Sequence, residues 1–317
     1  MLLGLIVCIV YIMNSMGHSL TSTLHELNTR GLTKIFNTDI NSSGFFLKQL
    51  IGGLFITVTM TGLDQEMMQK NISVRTLYDS KKNVLTFSFI ILIVNFLFLL
   101  MGGLLYLFAS TKGINTAPDD LFPTVALHFM GNVIPIIFVI GLISALFPSA
   151  DGALTALTSS FCIDLLGMKR RGDWDEKMKR RKRMTVHFIF AIIFLLMVMA
   201  FKWVDNKSII DVILKVAGFT YGPLLGLFAF GIITKRSIND KLSIYVCIAA
   251  PLLIWGIDFI NNIEWYQKQF HLNGGSVDSI KDFSQSVFGK FKIGYEVLIY
   301  NGLLTFLGLL LISKKKA

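Results

Sequence analysis

LISALFPSADGALTALTSSFCID, residues 142–164, is long enough to cross a bilayer as a helix, yet it is crowded with small and hydroxyl side chains and carries both Pro148 and Asp151. A span that only anchors a protein needs none of these groups. An ionisable side chain at membrane depth costs roughly 2.5–3.5 kcal/mol on insertion scales. The segment therefore reads as one that binds something inside the membrane, with a small cation as the natural occupant. Ser144, Pro148, Asp151, Thr155 and Thr158 recur at helical spacing on one face, and Ser149, Gly152, Ala156 and Ser159 form the adjoining small face. Pro148 has no N–H, so the carbonyl of Ser144 loses its intrahelical partner. A freed carbonyl, hydroxyls and a carboxylate make an oxygen-rich set suited to a hard cation. The same residues also fit a tightly packed small-residue helix whose Asp151 is protonated or paired with a lysine.

Around this segment the composition settles the class. Of 317 residues, 53% are hydrophobic and only 16% charged, against about 25% charged in ordinary globular domains. Apolar runs near the 20-residue crossing length recur along the chain. The reading is all-α and polytopic, with eight spans at about 1–16, 47–69, 84–110, 131–168, 184–204, 208–234, 241–261 and 293–313. Met1–Met16 has neither a basic leader nor a small-residue cleavage site, so it reads as a span and not as a signal peptide. Cys8, Cys162 and Cys247 all lie in apolar segments and read as small buried residues.

Orientation follows from the basic residues. Lys169–Arg183 holds nine Lys or Arg, and alternation puts it on the same side as Lys70–Lys82, Lys235–Lys241 and the tail Lys314–Lys316. Nineteen basic residues fall on that side and ten on the other, with Lys215 inside a span. By the positive-inside rule the richer side is cytoplasmic, which puts both termini in the cytoplasm. The net charge of +10 is mostly this signal. A nucleic-acid footprint would need a basic face on a soluble fold, so no nucleic-acid partner is expected. The 169–183 run also suits contact with anionic lipid headgroups of the bilayer.

Three further segments bear on function. Span two, GGLFITVTMTGLDQEMMQ (52–69), combines Gly52, Gly53 and Gly62 with Thr57, Thr59 and Thr61. It is a poor continuous helix, because Gly costs about 1 kcal/mol relative to Ala. Non-helical backbone at membrane depth survives only where it is buried or lines a cavity. Unwinding near Thr57–Gly62 would offer backbone groups to a solute; Gly and Thr are equally ordinary packing residues between membrane helices. Between spans three and four, APDDLFP and the residues after it read as a short amphipathic helix carrying Phe122, Val125, Leu127 and Phe129, placed to cap the outer mouth. In span six, AGFTYGPLLGLF (217–228), Gly222-Pro223 predicts a kink and Gly226 a close helix approach. Asp211 and Lys215, four apart, are expected to pair. His18, His128, His187 and His271 have no ligand-spaced partners, and no catalytic constellation or cofactor motif is present, so an enzyme is not expected.

Four motifs in order, TGLDQEMMQKNIS (61–73), APDDLFP (117–123), SALFPSADGALTALTSSFCIDLL (144–166) and AGFTYGPLLGLF (217–228), resemble the sodium:solute symporter family. The resemblance implies a sodium-driven carrier with a five-plus-five inverted-repeat core, residues 1–234 supplying core helices five to ten and residues 241–317 peripheral helices. It implies no cofactor beyond Na+ as coupling ion. Sodium ligands on the family's corresponding helix fall on Ala145, Pro148 and Ser149. Pro148 has no hydroxyl, and the Ser144 carbonyl and Asp151 are the available substitutes. The positions of the asparagine and tyrosine gate of sugar carriers are Thr57 and Met60, so the substrate set is Thr57, Met60, Thr61 and Gly62, and a smaller or more apolar solute than sugar is favoured. Two alternatives stay open: a proton-coupled carrier using Asp151, and a membrane sensor or assembly module that keeps the fold without transport. The chain is expected to open inside core helix five, with the missing N-terminal half of the carrier as a partner. Proteoliposomes holding only residues 1–317 are accordingly expected to give no sodium-stimulated solute accumulation, measured as uptake under an imposed sodium gradient.

Overall fold

The computed structural model describes residues 2–170, 172–203, 209–272 and 274–315. Of the basic residues that orient the chain, Arg171, Lys207 and Lys316 lie outside the described residues, as does most of the connection after span five. The fold is all-helical, with helices α1 (Leu2–Met16), α2 (Leu20–Thr29), α3 (Phe46–Met60), α4 (Gln65–Ile72), α5 (Leu77–Lys112), α6 (Pro118–His128), α7 (Ile134–Ser160), α8 (Glu176–Trp203), α9 (Ile209–Ile233), α10 (Asp240–Asn261), α11 (Ile263–Phe270), α12 (Gly275–Phe288) and α13 (Val297–Ile312). A π turn, Phe161–Leu165, extends α7. Among the described residues five helices are long and apolar enough to cross a membrane, or seven if α1–α2 and α3–α4 each count as one broken span. The expected eighth span holds α13, which at 16 residues rises only about 24 Å, short of the ~30 Å hydrocarbon core.

The chain divides into two compact units, Met1–Lys34 with Gln65–Trp203, and Ile35–Asp64 with Val204–Ala317. In the first, Leu5, Cys8, Ile9 and Ile12 of α1 interlock with Leu100, Met101, Leu104, Leu105 and Phe108 of α5 and with Val125 and Ala126 of α6. The three-and-four spacing makes a single apolar stripe on each helix. On α6 the helical period overrides part of the expected face. Val125 and Ala126 are buried, whereas Leu127 is exposed, because residues two apart point to different sides of a helix; Phe129 caps the end of α6, exposed but with its ring edge-on to Phe108. α8 starts within the basic run: the Asp175 carboxylate accepts the Met178 N–H at 2.7 Å, so residues 177–183 form its first turns and not a loop.

The second unit is built on a glycine seam. Gly218, Gly222 and Gly226, one turn apart on α9, lie against Val297, Asn301 and Thr305 of α13, the small-residue contact that lets membrane helices approach closely. Pro223 cannot donate to the carbonyl of Phe219; Asn301 Nδ2 donates to that oxygen instead, at 2.7 Å, and to the Gly218 oxygen at 3.2 Å. A Cβ on Gly222 would overlap the Asn301 side chain, whereas one on Gly231 meets nothing within 4 Å. Gly222→Ala is therefore expected to cost about 1–3 kcal/mol through overpacking and Gly231→Ala to stay within about 0.5 kcal/mol, compared by thermal unfolding in detergent.

Candidate functional site

On α7 the predicted cation residues separate into two lines. Ser149 Oγ donates to the Ala145 carbonyl at 3.4 Å, and Ser144 Oγ to the Ile140 carbonyl at 2.7 Å. Pro148, Asp151, Gly152 and Thr155 line a cleft of about 430 Å³ whose other wall is Glu66, Gln69 and Lys70 of α4 with Ser73 just past its end. Gly152 makes this approach possible, since a Cβ there would overlap the Glu66 carboxylate. Glu66 is ion-paired to Lys70, one turn on. Two carboxylates, Asp151 and Glu66, thus share one open cleft beside the proline that frees the Ser144 carbonyl. Among the described residues no side chain donates to that carbonyl. Ala145 instead lines a separate, apolar cavity of about 290 Å³ with Leu5, Phe122 and Phe138.

The predicted substrate residues Thr57, Met60, Thr61 and Gly62 lie in the other unit. α3 stays helical through Met60, with Thr57 Oγ1 donating to the Gly53 carbonyl at 2.9 Å. Of the stretch 57–62 offered for unwinding, Thr57–Met60 thus stay wound and Thr61 and Gly62 leave the helix. The break runs over Thr61–Asp64, residues between α3 and α4. It begins with the Thr61 and Gly62 N–H groups both directed at the Thr57 carbonyl, at 3.0 and 3.3 Å. A Cβ on Gly62 would lie 2.5 Å from the Val58 carbonyl oxygen, so this tight end needs glycine.

A polar centre that was not anticipated lies at the end of α10. Asp258 is 1% exposed, and its Oδ2 meets Lys215 Nζ at 2.8 Å, Lys215 being 16% exposed. The carboxylate also accepts from Tyr266 OH and from Asn262 Nδ2, each at 2.7 Å. The ammonium sits 4.1 Å from the Trp265 ring centroid and 4.5 Å from that of Tyr266, so aromatic faces complete its shell. Burial, then the Asp258 charge and hydrogen bond, hold the Tyr266 phenol far above its ordinary range, keeping it a donor. The expected Asp211–Lys215 pair does not form; Asp211 accepts from Tyr295 OH at 3.0 Å. Around this centre a cavity of about 320 Å³ is lined also by Gln49, Asp211 and Lys292. Buried Asn261 clamps the approach to α13, donating to the Phe291 carbonyl at 2.9 Å and accepting from the Ile293 N–H at 2.7 Å. The signal was available: Asp258 is an acid inside an apolar span, which calls for a cationic partner.

Apolar spans, proline-interrupted helices and ionisable groups held within them define a polytopic membrane protein. The chain belongs to the sodium:solute symporter family, which it matches over residues 1–241, a range that takes in α1–α9. It is similar to the sodium/sialic acid symporter of Proteus mirabilis (strain HI4320), with 22% identity over 230 residues, 65% of this chain and 45% of that protein. The chain thus spans about half the length of the curated relative it matches.

Removing one member of a buried ion pair costs about 3–5 kcal/mol. Asp258→Leu should fall in that range because it strands Lys215, Tyr266 and Asn262. Lys215→Met should cost less, since Asp258 keeps two donors. Thermal unfolding of the two variants in one detergent tests the ranking, and the reverse order would contradict it.

Proposed function

We propose that this chain serves sodium-coupled solute symport by alternating access, as part of a carrier of full family length. The observation that carries this reading is the family match over residues 1–241, which includes α3, α4 and α7. The cation would be held on α7 by the Ala145 carbonyl and Ser149 hydroxyl, with the Ser144 carbonyl and Asp151 as further oxygen donors. Substrate would bind at the break after Thr57 and Met60, where Thr61 and Gly62 leave the helix. The core would comprise residues 1–234 and the peripheral helices residues 241–317, with both termini on the cytoplasmic side. The relative's sialic acid is an anionic sugar; Thr57 and Met60 offer little hydrogen bonding to a sugar, which favours a smaller or more apolar solute here.

A second reading is supported by the cleft between α4 and α7. Asp151 and Glu66 line the same cleft, so a carboxylate stands where a coupling proton could enter. In this reading a proton takes the place of sodium and Asp151 carries it.

Losing one oxygen ligand to a cation is worth about 1.5–3 kcal/mol, which is roughly tenfold or more in affinity. Ser149→Ala is expected to raise the sodium concentration for half-maximal solute uptake by about that factor, measured in vesicles from cells expressing the carrier. An unchanged sodium dependence would remove Ser149 from the site. Uptake that follows an imposed pH gradient, ignores sodium and is abolished in Asp151→Asn would establish the second reading.

A further inference from the structure

The largest of the cavities described lies within the first unit, between the end of α7 and the start of α8, with a volume of about 600 Å³. Its inner wall is the π turn: Cys162 and Ile163 line it, together with Thr155, Thr158 and Ser159 one and two turns earlier. The Cys162 carbonyl accepts the Met168 N–H at 3.0 Å, which turns the chain so that Lys169 comes back over the mouth. The opposite wall is α8, which contributes Lys179, Arg183, Met184 and His187. His187 is anchored from behind, its Nδ1 lying 3.2 Å from Thr158 Oγ1, while that hydroxyl donates to the Leu154 carbonyl at 2.7 Å.

The charge of this cavity is not neutralised by the protein around it. Lys179 pairs with Glu176 at 3.0 Å, and Asp164 is engaged by Ser160 at 2.9 Å. Among the described residues no ion pair engages Lys169 or Arg183. Directly beside the basic mouth the surface turns apolar, with Ile163, Leu165, Met184 and Phe188 exposed. Both helices are long and apolar enough to cross a membrane. A cationic pocket that continues into an apolar, lipid-facing surface matches one kind of molecule, with an anionic head and hydrocarbon tails.

We propose that this cavity binds the phosphate headgroup of an anionic phospholipid, held by Lys169 and Arg183 with Lys179 at the rim, its acyl chains lying along the exposed face of α7 and α8. A free phosphate would satisfy the cations but would gain nothing from the apolar surface.

The test is a competition on the purified chain in detergent, with bound lipid counted by native mass spectrometry. Dioleoylphosphatidylglycerol and dioleoylphosphatidylcholine are supplied in equal amounts, in parallel with inorganic phosphate alone. The wild type is expected to retain the anionic lipid preferentially. At about 1 kcal/mol per basic residue, or roughly fivefold each, Lys169→Gln with Arg183→Gln should reduce that preference about 25-fold. Lys235→Gln with Arg236→Gln, which removes the same charge from another connection, should leave it unchanged. If the first pair does not yield folded protein, Arg183→Gln alone should reduce the preference about fivefold. Equal loss in the control pair, or no loss in the cavity variants, would overturn the proposal. So would displacement of the lipid by millimolar inorganic phosphate, which would make this a site for a soluble anion.

Discussion

A carbonyl deprived of its helical N–H has no water to turn to inside a bilayer, and that constraint organises both units of this protein. In α9 the deprived oxygen is that of Phe219, and Asn301 of α13 donates to it. The asparagine is fully buried; its amide nitrogen is satisfied by the two carbonyls, while its amide oxygen has no hydrogen-bond partner among the described residues. In α7 the corresponding oxygen is that of Ser144, and there the protein places hydroxyls and an acid nearby but no side-chain donor. The same proline chemistry yields a structural joint in one helix and an acceptor-rich surface in the other.

One buried ion pair in the second unit is completed in the same way, whereas buried Glu296 has no hydrogen-bond donor among the described residues. Asp258 has three donors and Lys215 has a carboxylate and two ring faces, so neither ion is left bare in a low-dielectric setting. The centre lies where α9, α10 and α11 meet the segment that leads into α13, and Asn261 and Asn262 tie that segment down through the Phe291 and Ile293 carbonyls. A local electrostatic requirement thereby fixes where α13 begins, and with it the register of the glycine seam.

Much of this could be read from the chain itself. Hydropathy located the long helices, and the motifs in α3–α4 and α7 named the family that the comparison then gave. What escaped was whatever depends on proximity through space. Asp211 sits one turn from Lys215 and is the natural partner by helical spacing, yet the lysine turns to Asp258, 43 positions on. Residues on α10 and α11 surround that ammonium with a carboxylate and two aromatic rings, which no single-helix pattern reveals. The pairing of α4 with α7 was hidden for the same reason: Gly152 looked like generic small-residue packing until Glu66 was found against it. On α3 the threonines suggested early unwinding, but their hydroxyls bond back to carbonyls one turn behind, keeping the helix wound to Met60. Nor did the basic run betray its helical turns, since nine like charges mask the Asp175 cap.

The seam between α9 and α13 also bears on how the protein is made. The two helices are separated by more than sixty residues, including α10, α11 and α12. During synthesis α9 reaches the membrane with its glycine face uncovered and the Phe219 oxygen without its asparagine donor, and it stays so until α13 has been translated. Insertion of α9 is thus a provisional state that the arrival of Asn301 makes permanent, and a nascent chain stalled before that point would present an open groove to insertion chaperones and membrane proteases.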